Sequence, residues 1–152
     1  MKVYCAGPLF SAAERAFLES CVGRLRAAGL DCFLPHQAAA GIDRVSVDRI
    51  FGLDYDGLAQ ADALFAWLDG PAVDDGTACE IGMFSALMEG GRKKGIVGLV
   101  TDLRLQRRRP SLEEGGLNLF VAGAIRRAGR ICWSLEEALD QLLAWQKELD
   151  SA

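Results

Sequence analysis

The chain reads as an α/β protein with three layers, helices covering both faces of a five-stranded parallel sheet. Short apolar runs alternate with helix-patterned segments from end to end, the signature of strands joined by helical crossovers. The run Ala63-Leu64-Phe65-Ala66-Trp67-Leu68 is apolar throughout, as a strand covered on both faces must be. Strand-like runs also end in turns of glycine, proline and acidic residues. The 152 residues fit a single domain, 1–152, with a proper core.

Taken in order, Lys2 to Ala6 is a first strand closed by Gly7-Pro8. Ser11 caps a helix, with Glu14 completing a capping box. Phe17, Leu18, Cys21, Val22 and Leu25 form its apolar stripe. The helix runs to about Ala28 and Gly29 ends it. Asp31 to Leu34 is a second strand stopped by Pro35, and His36 to Val45 reads as a loop. Ser46 or Val47 opens a helix that lasts to about Ala61. After the strand Ala63 to Leu68, a third helix starts at Asp75 or Gly76, runs to Met88 and stops at Glu89-Gly90-Gly91. Gly95 to Val100 is the fourth strand. Thr101 to Leu117 is polar, carries arginine and glycine, and reads as a loop. Asn118 to Ala128 is a short helix with Gly129 as its stop, and Arg130 to Trp133 a brief fifth strand. Ser134 caps a last helix with Glu137 at the capping-box position. Leu135, Ala138, Leu139, Leu142, Leu143 and Trp145 make its apolar face.

Five short strands in this length fit a flavodoxin-like order. Ligands then belong at the carboxyl ends of the strands, near the switch point between the first and third. Three segments converge there: Tyr4 to Phe10, Pro35 to Gln37 and Leu68 to Glu80. The first loop, Ala6-Gly7-Pro8-Leu9-Phe10, holds one glycine, so it is neither a dinucleotide fingerprint nor a P-loop. Phe10 could stack on a planar ligand, although a staple against the following helix is the simpler reading. The segment Asp74-Asp75-Gly76-Thr77-Ala78-Cys79-Glu80-Ile81-Gly82 offers backbone N–H groups, a hydroxyl and carboxylates. An anionic turn suits a neutral or cationic polar group better than a phosphate.

Asp54, Asp74 and Glu80 can reach one crevice if the second long helix lies against the third strand. Paired carboxylates cleave bonds at an anomeric carbon, one as nucleophile and one handling the proton. Each acid also has a simpler explanation: Asp74 as a helix N-cap, Glu80 as an early-turn acid, Asp54 as a solvated helical residue. Singly those explanations win; at one crevice, function competes with them.

The composition narrows the field. A net charge of −4 gives no basic surface for nucleic acid. Arg107-Arg108-Arg109 before Pro110 reads as a solvated loop rather than a phosphate site. The five cysteines are scattered in apolar runs without a CxxC pair, so they read as buried free thiols of a cytoplasmic protein, not zinc ligands. A catalytic Cys79 would need His36, the only histidine, brought to it across the fold. No N-terminal signal and no membrane span is expected.

Three segments, read together, resemble the nucleoside 2-deoxyribosyltransferase family. They are Val3-Tyr4-Cys5-Ala6-Gly7-Pro8-Leu9-Phe10-Ser11, Asp54 with Ala61-Asp62 beyond it, and Asp74-x-Gly76-Thr77-x-x-Glu80-Ile81-Gly82. The resemblance covers nearly the whole chain and implies the same flavodoxin-like sandwich. It implies that Glu80 attacks C1′ of a 2′-deoxynucleoside and forms a covalent deoxyribosyl ester, which a second base or water resolves with retention. Tyr4 then holds Glu80, Asp54 handles the proton of the leaving base, and Asp74 binds the sugar 5′-hydroxyl. Gly7 and Gly76 fall in the substrate-binding motifs, Gln37 and Phe10 at positions that meet the base. Asn118 resembles an asparagine lent by a neighbouring subunit. The expected partners are a 2′-deoxynucleoside, a free nucleobase and further copies of the chain, as a dimer, tetramer or hexamer with shared active sites. No cofactor is implied, because exchange through a carboxylate nucleophile needs neither metal nor nicotinamide. Relatives that hydrolyse nucleoside 5′-monophosphates are the nearest alternative. They often carry serine where this chain has Asp74, whose charge would repel a phosphate, so an unphosphorylated nucleoside is favoured. Arg15, the basic residue nearest the first loop, is expected to face solvent. A nucleotide-binding module without catalysis is the remaining alternative.

Overall fold

The structure is a computed structural model and describes residues 1–41, 46–91 and 93–151. Five parallel strands, β1 (Lys2–Ala6), β2 (Asp31–Phe33), β3 (Ala63–Trp67), β4 (Gly95–Leu99) and β5 (Gly129–Cys132), form one sheet in the order β2-β1-β3-β4-β5. This is the flavodoxin-like order, and its switch point falls between β1 and β3. Every residue of β3 is buried, as its apolar run requires.

Alternation along the strands divides the core in two. Val3, Cys5, Phe65 and Val97 face α1 (Ala12–Ala27) and α7 (Leu135–Asp150). Tyr4, Ala6, Leu64 and Ile96 face the other side, covered by α3 (Val47–Gln60), α4 (Asp75–Leu87) and α6 (Leu119–Ala128). Ser11 and Glu14 form the expected capping box on α1, and Gly29, at φ +92°, lies just beyond the helix end.

Three readings need correction. The stretch from His36 is not all loop: α2 (Pro35–Ala38) occupies its start, with proline in the first helical turn, where its missing N–H costs nothing. Positions 42–45 of that expected loop lie outside the described residues. Thr101 to Leu117 contains α5 (Leu103–Arg108) and a 3₁₀ turn, Glu113–Gly116. Asp102 caps α5 by accepting from the Arg104 N–H, and Leu105 is buried beneath it. The Arg109 guanidinium sits 4.7 Å from the centre of the Trp133 ring, so the arginine run is partly anchored. Gly129, expected as a helix stop, is the extended first residue of β5 at φ 174°. It is needed because a Cβ there would come within 2.1 Å of the Ile96 carbonyl oxygen.

Two contacts set up the site. Asp69, just past β3, accepts from the Thr101 N–H at 2.6 Å, the Asp102 N–H at 2.9 Å and the Thr101 hydroxyl. It ties the exits of β3 and β4 together and fixes the turn leading to α4. Gly57 lets α3 approach β2 closely, since a Cβ there would sit 2.7 Å from the Phe33 ring.

Candidate active site

Tyr4 lies on the β1 face that looks toward α3 and α4. Its ring is buried and stacks on Phe33, with centroids 5.2 Å apart, while its hydroxyl donates to Glu80 Oε1 at 2.5 Å. Glu80 is on α4, within two turns of the helix start. Burial pushes its carboxyl up to about 7; the Tyr4 hydrogen bond pulls down, and the charges of Asp54 and Asp74 push up. Burial and the Glu80 charge raise the Tyr4 hydroxyl far above its usual range, so it stays a donor. Burial also raises Asp54, on α3.

Glu80 and Asp54 line one cavity of about 650 Å³ between α3 and α4. Phe51, Asp54, Tyr55 and Leu58 wall it from α3; Gly76, Cys79, Glu80 and Met83 wall it from α4. Both rows have i, i+3, i+4, i+7 spacing, so each helix turns a single face to the cleft. That spacing could have been read from the sequence, yet Phe51, Tyr55 and Met83 were missed because the same spacing marks an ordinary core face. Cys79 also lines the cleft. His36 instead lies 2.6 Å from Glu19 and is absent from the cavity lining among the described residues, so no Cys79–His36 pair forms.

Asp74 caps α4: its Oδ2 accepts from the Thr77 N–H and the Thr77 hydroxyl, both at 2.9 Å. Among the described residues Oδ1 takes no hydrogen bond. The caps explanation for Asp74 is therefore correct, and it leaves one carboxylate oxygen to spare. Asp74 still acts on Glu80 through its charge, so the two acids share a neighbourhood. Gly76 follows the cap, where a Cβ would press on Asp74 Oδ2 at 3.3 Å.

The remaining candidates stand apart from the cavity. Gly7 is buried against Leu18 and Trp67, each 3.3 Å from a notional Cβ, and shapes the turn after β1. Phe10 is 81% exposed, so it is not a staple, and it does not line the cleft among the described residues. Arg15 is half-buried rather than solvent-facing: it donates to the Leu9 carbonyl at 2.7 Å and the Phe10 carbonyl at 3.1 Å, holding the first loop. Gln37 is exposed and accepts from Arg26 at 3.2 Å. Asn118 caps α6, accepting from the N–H groups of Phe120 and Val121, and is exposed.

A tyrosine thus clamps a half-buried glutamate beside a second carboxylate in an open cleft. The sequence profile of the family described as nucleoside 2-deoxyribosyltransferase matches residues 3–124. The chain belongs to that family. Several solved structures share the fold. A conserved protein from Enterococcus faecalis V583 is 31% identical at TM-score 0.76, over 94% of this chain and 97% of its own. A 2-deoxyribosyltransferase from Bacillus psychrosaccharolyticus is 19% identical at TM-score 0.69, over 91% and 90%. A CMP N-glycosidase from Clostridium botulinum is 23% identical at TM-score 0.54, over 93% and 98%. None of the curated proteins matches the chain. Among the described residues no helix is long and apolar enough to cross a membrane.

Proposed function

We propose that the protein transfers a 2-deoxyribosyl group between nucleobases through a covalent Glu80 ester. The observation that carries this is the 2.5 Å hydrogen bond from the Tyr4 hydroxyl to Glu80 at the wall of a cleft shared with Asp54. The Glu80 carboxylate attacks C1′ as the C1′–N bond breaks, and Asp54 gives its proton to the departing base. The acceptor base then attacks C1′ from the face the first base left, Asp54 takes its proton, and two inversions give net retention. Tyr4 donates to Glu80, which favours its ionised form before attack and orients it toward C1′. Asp74 Oδ1 is suited to accept from a sugar hydroxyl.

The cleft lining contains no lysine or arginine among the described residues. Among the described residues, a phosphate dianion would meet two or three carboxylates with no cationic side chain in the lining to offset them. An unphosphorylated 2′-deoxynucleoside fits better than a nucleoside 5′-monophosphate. Homo-oligomerisation belongs to the same reading: Leu119 and Phe120, 66% and 88% exposed beside Asn118, form an apolar patch that a second copy would cover.

The test is incubation with a 2′-deoxynucleoside and a different free base, followed by chromatography. The expected outcome is a new nucleoside, with Glu80→Ala and Glu80→Gln at least about a thousandfold slower. Absence of exchange by the folded wild type would sink the proposal, and full activity in Glu80→Gln would remove Glu80 from the nucleophile's role. Sugar release that does not depend on acceptor would assign a hydrolase instead.

A further inference from the structure

Phe51 and Tyr55 are large aromatic residues that a folded chain of this size would ordinarily bury. They remain 54% and 40% exposed, with rings stacked at 5.7 Å between centroids, on the α3 face that walls the cleft. Asp54 lies between them in sequence and shares their face. If Asp54 protonates the base that leaves Glu80-bound C1′, that base must lie beside the residues one turn before and one position after Asp54. The rest of the wall narrows how a base can be recognised. Leu58 and Met83 are apolar. Ser46, at the edge of the cleft, caps α3 by accepting from the Arg49 N–H at 3.3 Å and keeps its own O–H to donate. No side-chain amide or guanidinium lines the cleft among the described residues. Beyond the oxygens of Ser46, Asp54, Tyr55 and Glu80, the wall offers a base aromatic and apolar surface, and contact with it scales with the size of the ring system.

We propose that Phe51 and Tyr55 form the base-selecting wall of the site and make it favour bicyclic over monocyclic bases. This rests on the nucleoside reading above. A purine lays two fused rings along the pair and gains more stacked area than a pyrimidine. The cleft, at about 650 Å³, has room for the larger base together with its sugar.

The experiment is calorimetric titration of the Glu80→Gln protein, which binds without turnover, with 2′-deoxyadenosine and with thymidine. The expected result is at least about tenfold tighter binding of 2′-deoxyadenosine, a preference that Phe51→Ala brings close to unity. Tyr55→Phe, which keeps the ring, leaves the preference within about twofold. Phe51→Leu, which keeps apolar bulk without the ring, loses most of it. Equal affinity for the two nucleosides, no binding of either, or a preference unchanged in Phe51→Ala would overturn the proposal. So would a Phe51→Ala protein that changes its sedimentation but not its preference, since the pair would then serve a subunit contact. Base exchange by the wild type is measured separately. A protein that exchanges bases yet keeps its preference in Phe51→Ala contradicts this proposal alone, and a protein that binds selectively without exchange contradicts the enzymatic reading alone.

Discussion

Tyr4 and Glu80 show how one side chain can set the working range of another. Glu80 carries two opposed influences: burial and neighbouring acids raise its carboxyl to about 7, and the Tyr4 hydroxyl lowers it. In the proposed mechanism Glu80 must be ionised to attack, so kcat/KM should climb with pH through an acid limb near 7. In Tyr4→Phe the lowering influence is gone, so the limb should move to higher pH. At pH 7 the rate should drop at least about tenfold, since a hydrogen bond to a charged group has been lost. A pH–rate profile of both proteins checks this; a limb that stays in place or moves to lower pH would show that another group controls it. Tyr4 is fully buried and stacked on Phe33, so phenylalanine should keep the packing and isolate the hydroxyl.

At the scale of elements, glycines separate close approach from mere turn-making. Gly129 meets the Ile96 backbone so closely that alanine would force β4 and β5 apart, at a cost of about 2–4 kcal/mol. Gly23, inside α1 and exposed, has nothing within 4 Å of a notional Cβ, so alanine there should stabilise by about 0.5–1 kcal/mol. Denaturant midpoints of the two variants should move in opposite directions; the same direction for both would refute the account. The sequence marked Gly129 as important but for the wrong reason, because a close approach between strands leaves no local signature. The five strands and the helices α1, α3, α4, α6 and α7 were legible, since each carries a period or a cap. The helices α2 and α5 were not: four and six residues are too few to display a period, and α5 rests on Leu105 and Asp102, whose roles depend on tertiary contact. At the site, the meeting of Asp54 with Glu80 was legible from the alternation of strands and helices, whereas the place of Tyr4 beside Glu80 came from a family resemblance. The sequence hid the Asp69 clamp, the Arg15 brace on the first loop and the outward position of Phe10, all of which depend on where one loop passes another.

At the scale of the whole molecule, α6 presents an exposed apolar surface beside Asn118. Asn118 caps α6 with its side-chain oxygen, which leaves the amide nitrogen of the same group to donate elsewhere. Leu119 and Phe120 beside it are exposed, and Asn118 does not line the Glu80 cleft of its own chain among the described residues. If α6 instead meets the cleft of a second copy, each site is built from two chains, and two defective chains can repair each other. Asn118→Asp keeps the capping oxygen but replaces the donor with an acceptor, and Glu80→Gln removes the nucleophile; each alone should be nearly inactive. Mixed, partly unfolded and refolded together, they should regain activity, because a hybrid pair contains one site with both Glu80 and Asn118 intact. Phe120→Glu should prevent both the regain and the assembly, and sedimentation velocity should then report the mass of one chain, whereas the wild type sediments as a multiple of it. If the mixture stays inactive while the wild type sediments as an oligomer, Asn118 contributes nothing to a neighbour's site, and the exposed face of α6 serves assembly only.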